Sequence, residues 1–364
     1  MPTIDLTIES VAFGGNGLGR QNGKVVFVPF AIDGENVAAR IVREKKQFCD
    51  AEIVELRQTS PYRVEPACPY FRKCGGCAYQ HIDYEHQLAI KWQQVRDVVR
   101  RIGKLREIPI RPIIASPAPY GYRNRITVHA DKGVVGYFRR DSHRLIDIER
   151  CPIAQDEVNR ELQQLRASQL RDGHYTLRAD SGPRIFSQAN DSLAPALLDL
   201  VTELIPDGQE LLIDAYCGAG FFAKALLKKF QRILGIDWDR FAIEEAKKGA
   251  TGAETYIAGD VDETLKTLVA GNLTVLSSQV PRCARGDAVT IIVDPPSTGL
   301  SPGTRKVILE VAPKTFIYVS CNPATLARDL GELSRYHIDS ITPLDMFPQT
   351  AEIEAVAHLR RTDL

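Results

Sequence analysis

The stretch ELLIDAYCGAGFFAKALL, Glu210 to Leu227, decides the fold class of this chain. An apolar run ends at Asp214, a turn with Gly218 and Gly220 follows, and the next residues have helical spacing. A strand, a glycine turn and a helix in this order open a doubly wound α/β domain, which binds its cofactor at the first strand–helix crossing. Strand–loop–helix units continue to the end, so we expect this domain at residues 184–364.

The same turn favours S-adenosylmethionine over a dinucleotide as the cofactor. A dinucleotide turn has the pattern G-x-G-x-x-G, whereas here the third glycine is absent and an acid ends the preceding strand. Two further strands end in Asp237 and Asp260, in RILGIDWD and YIAGDVDE. We expect Asp237 to bind the ribose hydroxyls and Asp260 to lie near the adenine. Each acid alone is as consistent with a helix cap, but three in register indicate a cofactor site.

Two later strands end in residues suited to chemistry on a planar base. Asp294 follows one strand in VTIIVDPPSTGL, where a rigid Asp-Pro-Pro loop is suited to holding a nitrogen heterocycle. Cys321 follows the next strand in IYVSCNPATLARDL, so both side chains should open onto one cleft. A lone cysteine at such a place is often only a small buried hydrophobe. A methyltransferase acting on a ring nitrogen would use Asp294, but its reaction would not need a thiol at Cys321.

A thiol at this place could act as the nucleophile in methylation of carbon 5 of uracil. If a thiolate adds to carbon 6, carbon 5 becomes nucleophilic enough to accept a methyl group, and a base must then remove the carbon-5 proton. The segment MFPQTAEIEAVAHL supplies Glu352 and Glu354, which a strand would place on one face with Ile353 on the other. The pattern alone leaves the choice between these two glutamates open.

Composition and length predict a multidomain protein of the cytoplasm. With 364 residues, 44% of them hydrophobic and 25% charged, the chain has the composition of a soluble protein with two or three domains. MPTIDLTIES has neither the basic start nor the apolar core of a signal peptide, and no apolar run approaches the roughly 18 residues of a membrane span. We therefore expect no membrane association, and eight cysteines that are reduced.

The first 183 residues divide into two further predicted domains. Residues 1–59 contain short strands with glycine turns, typical of a small OB-type β-barrel that binds RNA. Residues 60–183 form a small Cys-rich α+β domain with a helix at about 82–102 that packs on the catalytic domain. Residues 61–150 carry 17 Lys and Arg against 9 Asp and Glu, which suits a polyanion partner or simply a basic solvated surface. We expect Arg123 and Arg125 to contact RNA phosphates, and Tyr120 or Tyr122 either to stack on bases or to pack in the core.

A four-cysteine site is predicted in the central domain. CPYFRKCGGC places three cysteines within ten residues around a Gly-Gly pair, and Cys151 in ERCPI is the fourth candidate. Four thiolates bind either a zinc ion or an iron–sulfur cluster, and the spacing does not decide between the two. The three clustered residues are Cys68, Cys74 and Cys77.

Over its whole length the chain resembles the RNA uracil-5-methyltransferase family, through CGGC, DAYCGAGFF, DPP and VSCNPATLARDL together. The resemblance implies a TRAM-type barrel, a Cys-rich central domain and a Rossmann-like S-adenosylmethionine methyltransferase domain. It implies Cys321 as nucleophile and Glu354 as base. It also implies a [4Fe–4S] cluster on Cys68, Cys74, Cys77 and Cys151. The cofactor contacts that it implies are Gln188, Tyr216, Asp237, Asp260 and Asp294.

The layout favours a uridine of 23S ribosomal RNA as the target, with a transfer-RNA uridine as the alternative, and we expect a monomer. A non-catalytic RNA-binding iron–sulfur sensor is the alternative of a different class, although binding alone needs none of Cys321, Asp294 and Glu354. Two positions depart from the family pattern. Phe221 stands where an asparagine is common, and Glu352 replaces the usual histidine, which would place two acids together and raise the pKa of the base.

Overall fold

The computed structural model describes residues 3–180, 188–269 and 289–362. Within these ranges the strands form a closed five-stranded barrel, a four-stranded sheet and a seven-stranded sheet. The predicted architecture, a β-barrel followed by a small α+β part and an α/β part, is confirmed. None of the helices in these ranges is long and apolar enough to cross a membrane.

The N-terminal barrel is closed by two strand pairs. Its strands are β1 (Thr3–Val11), β2 (Asn16–Gln21), β3 (Lys24–Pro29), β4 (Asn36–Glu44) and β5 (Phe48–Gln58). In β1, buried Ile4, Leu6 and Ile8 alternate with exposed residues, as expected for a strand with one face in the core. Parallel pairing of β3 with β5 and antiparallel pairing of β1 with β4 complete the barrel, which leaves no open sheet edge.

The central part combines a long helix with a small antiparallel sheet. Its elements are α1 (Tyr84–Arg101), β6 (Arg125–Asp131), β7 (Val134–Phe138), β8 (Leu145–Asp147), α2 (Asp156–Ala167) and β9 (Gly173–Arg178). Helix α1 begins where the Asp83 carboxylate accepts a hydrogen bond from the Glu85 amide. Helix α2 covers the sheet with Val158 and Leu162, which pack against Ile126 and Val128. The predicted domain boundaries after residues 59 and 183 stay predictions, and residue 183 lies outside the described ranges.

The C-terminal part is the α/β domain. Its strands are β10 (Gln209–Ala215), β11 (Phe230–Asp237), β12 (Glu254–Ala258), β13 (Val289–Val293), β14 (Thr315–Ser320), β15 (Tyr336–Leu344) and β16 (Glu354–Arg361). Its helices are α3 (Ala194–Glu203), α4 (Phe221–Ala225), α5 (Arg240–Lys247), α6 (Val261–Val269), α7 (Pro302–Val311) and α8 (Pro323–Glu332). The sheet order is β12-β11-β10-β13-β14-β16-β15, with β16 antiparallel to both of its neighbours. Strands β13 and β14 are buried over their whole length, which explains their continuous apolar sequences.

The sheet order fixes where a site can form. Strand β10 lies between β11 and β13, so the chain order reverses there and leaves a crevice at the carboxyl ends of β10 and β13. Asp214 and Asp294 lie at these two ends. The predicted site residues of this domain therefore converge because strand order, and not sequence proximity, brings the strand ends together.

Helix α1 belongs to the central part but packs against the α/β domain. Its residues Val95 and Val99 share a core with Leu326 and Leu330 of α8 and with the strands of the large sheet. The same helix carries Lys91, which is fully buried and paired with Asp345. A buried ammonium group is stable only beside its counter-charge, so the Lys91–Asp345 pair fixes helix α1 against the α/β domain.

Candidate active site

Cys321 lies at the carboxyl end of β14, where the strand turns directly into α8. The Asn322 side chain accepts a hydrogen bond from the Ala324 amide and so caps the helix, and Pro323 occupies its first position. The Cys321 side chain is half-buried. The Ser-Cys-Asn-Pro sequence thus ends a strand and begins a helix within three residues, which leaves the thiol at the edge of the sheet.

The residues after Cys321 fix the Asp-Pro-Pro loop. The side-chain amide of Asn322 and the Thr325 hydroxyl both donate to the Ser297 carbonyl, each at 3.1 Å. The fully buried Asp329 carboxylate accepts from the Leu300 amide at 2.8 Å. Helix α8 therefore holds the loop that carries Asp294, and the conspicuous polar residues of NPATLARDL have this structural use.

Glu354 is the first residue of β16, and strand register places it beside Cys321. Strand β14 pairs with β16 antiparallel, with Ser320 opposite Ala355. The residue after Ser320 and the residue before Ala355 therefore meet at the end of the same ladder. Glu354 is buried, and its Oε1 atom makes no hydrogen bond with any described residue. An unpaired buried carboxylate oxygen is a feature that a proton-accepting site would have.

The prediction that Glu352 and Glu354 share one strand face is wrong. Strand β16 begins at Glu354, and Glu352 lies before it with an exposed side chain, while Ile353 between them is fully buried. The strand begins late because the backbone of residues 345–352 is bound by donors from other parts of the chain, so it does not pair within the sheet. Burial distinguishes the two candidate bases, which the sequence pattern left equivalent.

Electrostatics connect these side chains into one group. Burial raises the pKa of Cys321 to about 12, and Glu354, Asp294 and Glu352 add to the shift. Burial likewise raises the pKa of Glu354, with Asp294 and Glu352 contributing. Burial raises the pKa of Asp294 to about 7, against a hydrogen bond from Gln188 that favours the charged form. The thiol and the carboxyls thus share one cleft, where they are not all ionised at neutral pH.

The glycine turn after β10 is held by Asp237, the residue predicted to bind the ribose hydroxyls. The Asp237 carboxylate accepts hydrogen bonds from the amides of Gly218 and Asp239, both at 2.8 Å. Tyr216, at the start of the turn, has a left-handed backbone with φ of 66° and a half-buried side chain. Asp237 also adds to the raised pKa of Asp294, so this turn and the Cys321 cleft are adjacent. The structure brings Gln188, Asp237, Asp294, Cys321 and Glu354 together.

Asp260 lies beyond β12 with an exposed side chain that accepts a hydrogen bond from the Glu263 amide at 3.0 Å. This is the geometry of a helix cap at the start of α6. Its charge raises the pKa of Tyr216 in addition to burial, so it faces the same turn. The sequence had left the cap and the cofactor contact open for this acid; the structure shows the cap hydrogen bond, and the cofactor contact stays a prediction.

Asp214 was predicted as the acid that ends the strand before the glycine turn, but no contact was assigned to it. It is fully buried, its Oδ2 accepts from the Ala223 amide at 2.9 Å, and its Oδ1 has no partner among the described residues. Burial raises its pKa to about 8, with Asp294 and Asp237 contributing. Its place as the acid before the glycine turn was visible in the sequence, but its hydrogen bond across the turn to α4 was not.

All four predicted ligand cysteines line one cavity of about 270 Å³ in the central part. Burial raises the pKa of Cys74 to about 11 and of Cys77 to about 12, and it also raises the pKa of Cys68 and Cys151. Arg123 and Arg125, expected on the RNA surface, line the same cavity. Among the residues that the structure describes, no group of three Cys, His, Asp or Glu side chains could hold a metal ion.

Comparison with protein families identifies the chain. The model of the tRNA (uracil-5-)-methyltransferase family matches residues 153–362, and the TRAM domain model matches residues 2–54. A relative from Bdellovibrio bacteriovorus, named an uncharacterized RNA methyltransferase, is 32% identical over 387 residues, which cover 98% of this chain and 95% of the relative. The chain belongs to the tRNA (uracil-5-)-methyltransferase family. It is therefore an RNA uracil-5-methyltransferase of the S-adenosylmethionine-dependent class.

Two further similarities extend over the whole methyltransferase. An uncharacterized RNA methyltransferase of Gloeobacter violaceus is 29% identical over 460 residues, covering 99% of this chain and 97% of that protein. The crystal structure of the Pyrococcus abyssi tRNA (uracil-54, C5)-methyltransferase in complex with S-adenosyl-L-homocysteine has a TM-score of 0.68 and 24% identity. It covers 97% of this chain and 100% of its own, so the two proteins share their fold.

Two further residues named in the sequence analysis, Tyr122 and Phe221, pack in the interior of the methyltransferase. Tyr122, a candidate for base stacking, is buried and donates its hydroxyl to the Pro348 carbonyl at 3.0 Å, which is the core role. Phe221, where the family commonly has asparagine, packs edge-on against Phe222 with ring centroids 4.9 Å apart. A side-chain hydrogen bond from this position is absent, and a ring contact in the core beside the glycine turn takes its place.

Proposed function

We propose that this methyltransferase transfers a methyl group from S-adenosylmethionine to carbon 5 of a uridine in RNA, through a covalent bond between Cys321 and carbon 6. The observation that carries the proposal is the register of β14 and β16, which puts Cys321 beside the buried Glu354 at the sheet edge that also carries Asp294. A methyltransferase for a ring nitrogen needs Asp294 but neither of the other two. A non-catalytic iron–sulfur sensor needs none of the three.

The residues act in a fixed order. The Cys321 thiolate adds to carbon 6 of the uracil, and the electrons of the carbon 5–carbon 6 double bond move to carbon 5 and oxygen 4 as an enolate. Carbon 5 then takes the methyl group, which S-adenosylmethionine supplies. Glu354 accepts the carbon-5 proton, the double bond forms again, and the sulfur leaves carbon 6. Burial and the neighbouring acids raise the pKa of Glu354, so its carboxylate binds a proton more strongly than an exposed glutamate would.

Methyl-donor binding is assigned to five residues around the glycine turn: Gln188, Tyr216, Asp237, Asp260 and Asp294. Asp237 fixes the turn through the Gly218 amide, and its carboxylate remains able to accept hydrogen bonds from ribose hydroxyls. Asp294, hydrogen-bonded by Gln188, interacts electrostatically with Asp237 of this turn and with Cys321. It is therefore placed to orient either the donor or the uracil edge.

The residues around the cysteine cavity fit an iron–sulfur cluster. Four sulfurs and two guanidinium groups line the cavity, so an anionic cluster with four thiolate ligands would have cations as neighbours. Cys68, Cys74, Cys77 and Cys151 would be its ligands. When bound, the cluster would cross-link residues 68–77 to residue 151.

RNA is the proposed partner, with a 23S ribosomal uridine as the first candidate and a transfer-RNA uridine as the alternative. The combination of a TRAM barrel with a four-cysteine site supports ribosomal RNA, whereas the similarity to the Pyrococcus abyssi tRNA (uracil-54, C5)-methyltransferase supports transfer RNA. Arg72 and Arg140, which both lie over the Phe30 ring of the barrel, supply cations for phosphates beside an aromatic surface. Such an enzyme would work as a monomer in the cytoplasm.

The deciding experiment is to map 5-methyluridine in ribosomal and transfer RNA from cells with and without the gene. The purified enzyme is then given both RNAs from the deleted strain, with labelled S-adenosylmethionine. One uridine that loses its methyl group in the deleted strain and regains it in vitro supports the proposal and identifies the RNA. If no 5-methyluridine changes and neither RNA is labelled, the proposal is wrong.

A further inference from the structure

The loop before Glu354, residues 345–353, is built largely by hydrogen bonds from the central part of the chain. The Lys91 ammonium of α1 donates to the carboxylate of Asp345 at 2.6 Å and to the carbonyls of Phe347 and Glu352 at 2.9 and 3.0 Å. The Tyr122 hydroxyl donates to the Pro348 carbonyl. Donors from outside the α/β domain therefore fix this loop along most of its length.

The centre of the loop is held by a reciprocal pair of glutamines. The Gln87 amide group donates to Gln349 Oε1 at 3.0 Å, and the Gln349 backbone amide donates to Gln87 Oε1 at 3.2 Å. Both residues are buried. Gln349 has a φ of 68°, a left-handed conformation that non-glycine residues adopt rarely and only where neighbours hold it.

The same residue connects the loop to the cysteine segment. The backbone amides of Ala78 and Tyr79 both donate to the Gln349 carbonyl, at 3.0 and 2.9 Å. These two amides directly follow Cys77, which lines the cysteine cavity. Gln349 is thus bound on its carbonyl, its amide and its side chain by residues 78–87, five residues before Glu354.

We infer that Gln87 and Gln349, with the amides that follow Cys77, position Glu354 for proton removal from carbon 5. Glu354 itself makes no hydrogen bond through Oε1, so its place is set by the backbone that enters β16. Gln87 and Gln349 are buried and hydrogen-bonded to each other, and we assign them as positioning residues that act through the backbone before Glu354. This inference rests on the proposed covalent mechanism and assigns to the cysteine segment a role in one step of it.

The reaction step makes the inference testable. When the base is misplaced, Cys321 still adds to carbon 6 and carbon 5 still takes the methyl group. The carbon-5 proton then has no acceptor, so the carbon–sulfur bond does not break and a methylated RNA remains attached to the protein. Loss of folding gives the opposite result, because neither the adduct nor methylated RNA forms.

The test compares Gln87→Met and the milder Gln349→Asn with Gln93→Met. Asparagine tolerates the left-handed backbone but is too short for the bond to Gln87. Gln93 is exposed on the same helix, and its side chain donates to Asp97. Purified variants are mixed with the RNA substrate and labelled S-adenosylmethionine. Methylated adduct is counted on denaturing gels, iron content and donor Kd are measured, and hydrogen exchange of residues 345–354 is followed.

We expect Gln87→Met and Gln349→Asn to release the methylated adduct about 100-fold more slowly, as for a catalytic group displaced by about 1 Å. Donor Kd and iron content stay at the wild-type values, amides 345–354 exchange faster, and Gln93→Met behaves as wild type. Release at the wild-type rate by Gln349→Asn, or an equal loss of adduct and product in both variants, overturns the inference. Absence of a gel-stable adduct between the wild type and RNA that carries 5-fluorouridine, whose carbon 5 has no proton to lose, refutes the proposed mechanism instead.

Discussion

Cys321 and Glu354 lie side by side at the end of one antiparallel strand pair, because Ser320 pairs with Ala355. Glu354 is the charged group with the largest effect on the pKa of Cys321, after burial itself. A nucleophile and a base on neighbouring strands of a buried sheet keep a fixed separation, which suits a reaction that uses them one after the other on adjacent ring carbons.

Replacing the nucleophile should stop the reaction at its first step. Cys321→Ala is expected to abolish both methylation and the gel-stable complex with RNA that carries 5-fluorouridine, because no other group adds to carbon 6. Cys49→Ala is the matched control, since this thiol is buried in the barrel core. Labelled methyl transfer and denaturing gels measure both effects. Methylation retained by Cys321→Ala would refute the addition mechanism.

Replacing the base should stop the reaction at its last step. In Glu354→Gln the amide accepts no proton, so we expect a methylated RNA that stays attached to the protein, with turnover lowered about 100-fold or more. Glu352→Gln is the matched control, because its side chain is exposed and lies outside β16. Mass spectrometry of the trapped complex checks for the methyl group. Accumulation of adduct in Glu352→Gln alone would reverse the assignment of the base.

The raised pKa values predict how the rate depends on pH. Cys321 and Glu354 act when deprotonated, and burial with the neighbouring carboxylates raises the pKa of both. The single-turnover rate should therefore keep rising as the pH increases above 7, because the pKa of Cys321 is raised to about 12. Glu352→Gln removes a negative charge that contributes to both shifts, so its profile should move to lower pH by less than one unit, and less in high salt. An unchanged profile would contradict the charge coupling.

The cysteine site predicts a loss of iron on removal of one ligand. Cys151→Ser is expected to lower iron and sulfide content well below the wild-type values after anaerobic purification, because Cys151 is one of the four proposed ligands and the furthest along the chain from the other three. Cys49→Ser serves as control. Iron and sulfide analysis with absorption spectra gives the answer. A wild-type protein with zinc and no iron would show that the site binds an ion instead.

The sequence predicts those features of the fold and the site that depend on residues close together in the chain. The acids at strand ends, the Asp-Pro-Pro loop and Cys321 were found because a strand end and a glycine turn are local features, and parallel strands bring their ends together. Asp260 as a cap and Asp214 as a buried anchor needed the hydrogen bonds of the structure. Arg123 was placed on the surface from charge alone, but it lines the cysteine cavity.

The placement of Glu352 could not be predicted because its loop is fixed from a distance. Lys91 and Asp345 are 254 residues apart in the chain, and Gln87 and Gln349 are 262 apart. The alternation of Glu352, Ile353 and Glu354 is the pattern of a strand, yet these distant donors bind the backbone before the strand can begin. Long-range hydrogen bonds override local periodicity here.

The Lys91–Asp345 pair gives a last prediction, on stability. Both side chains are fully buried, and burial lowers the pKa of Lys91 while Asp345 opposes that shift. Asp345→Asn leaves the ammonium without its counter-charge, and we expect a loss of about 3–5 kcal/mol in the free energy of unfolding. The double variant Lys91→Met with Asp345→Asn removes the charge as well and should recover part of that loss. Urea titration of the wild type and the three variants completes a double-mutant cycle. Additive effects of the two single changes would show that the pair does not couple α1 to the loop before Glu354.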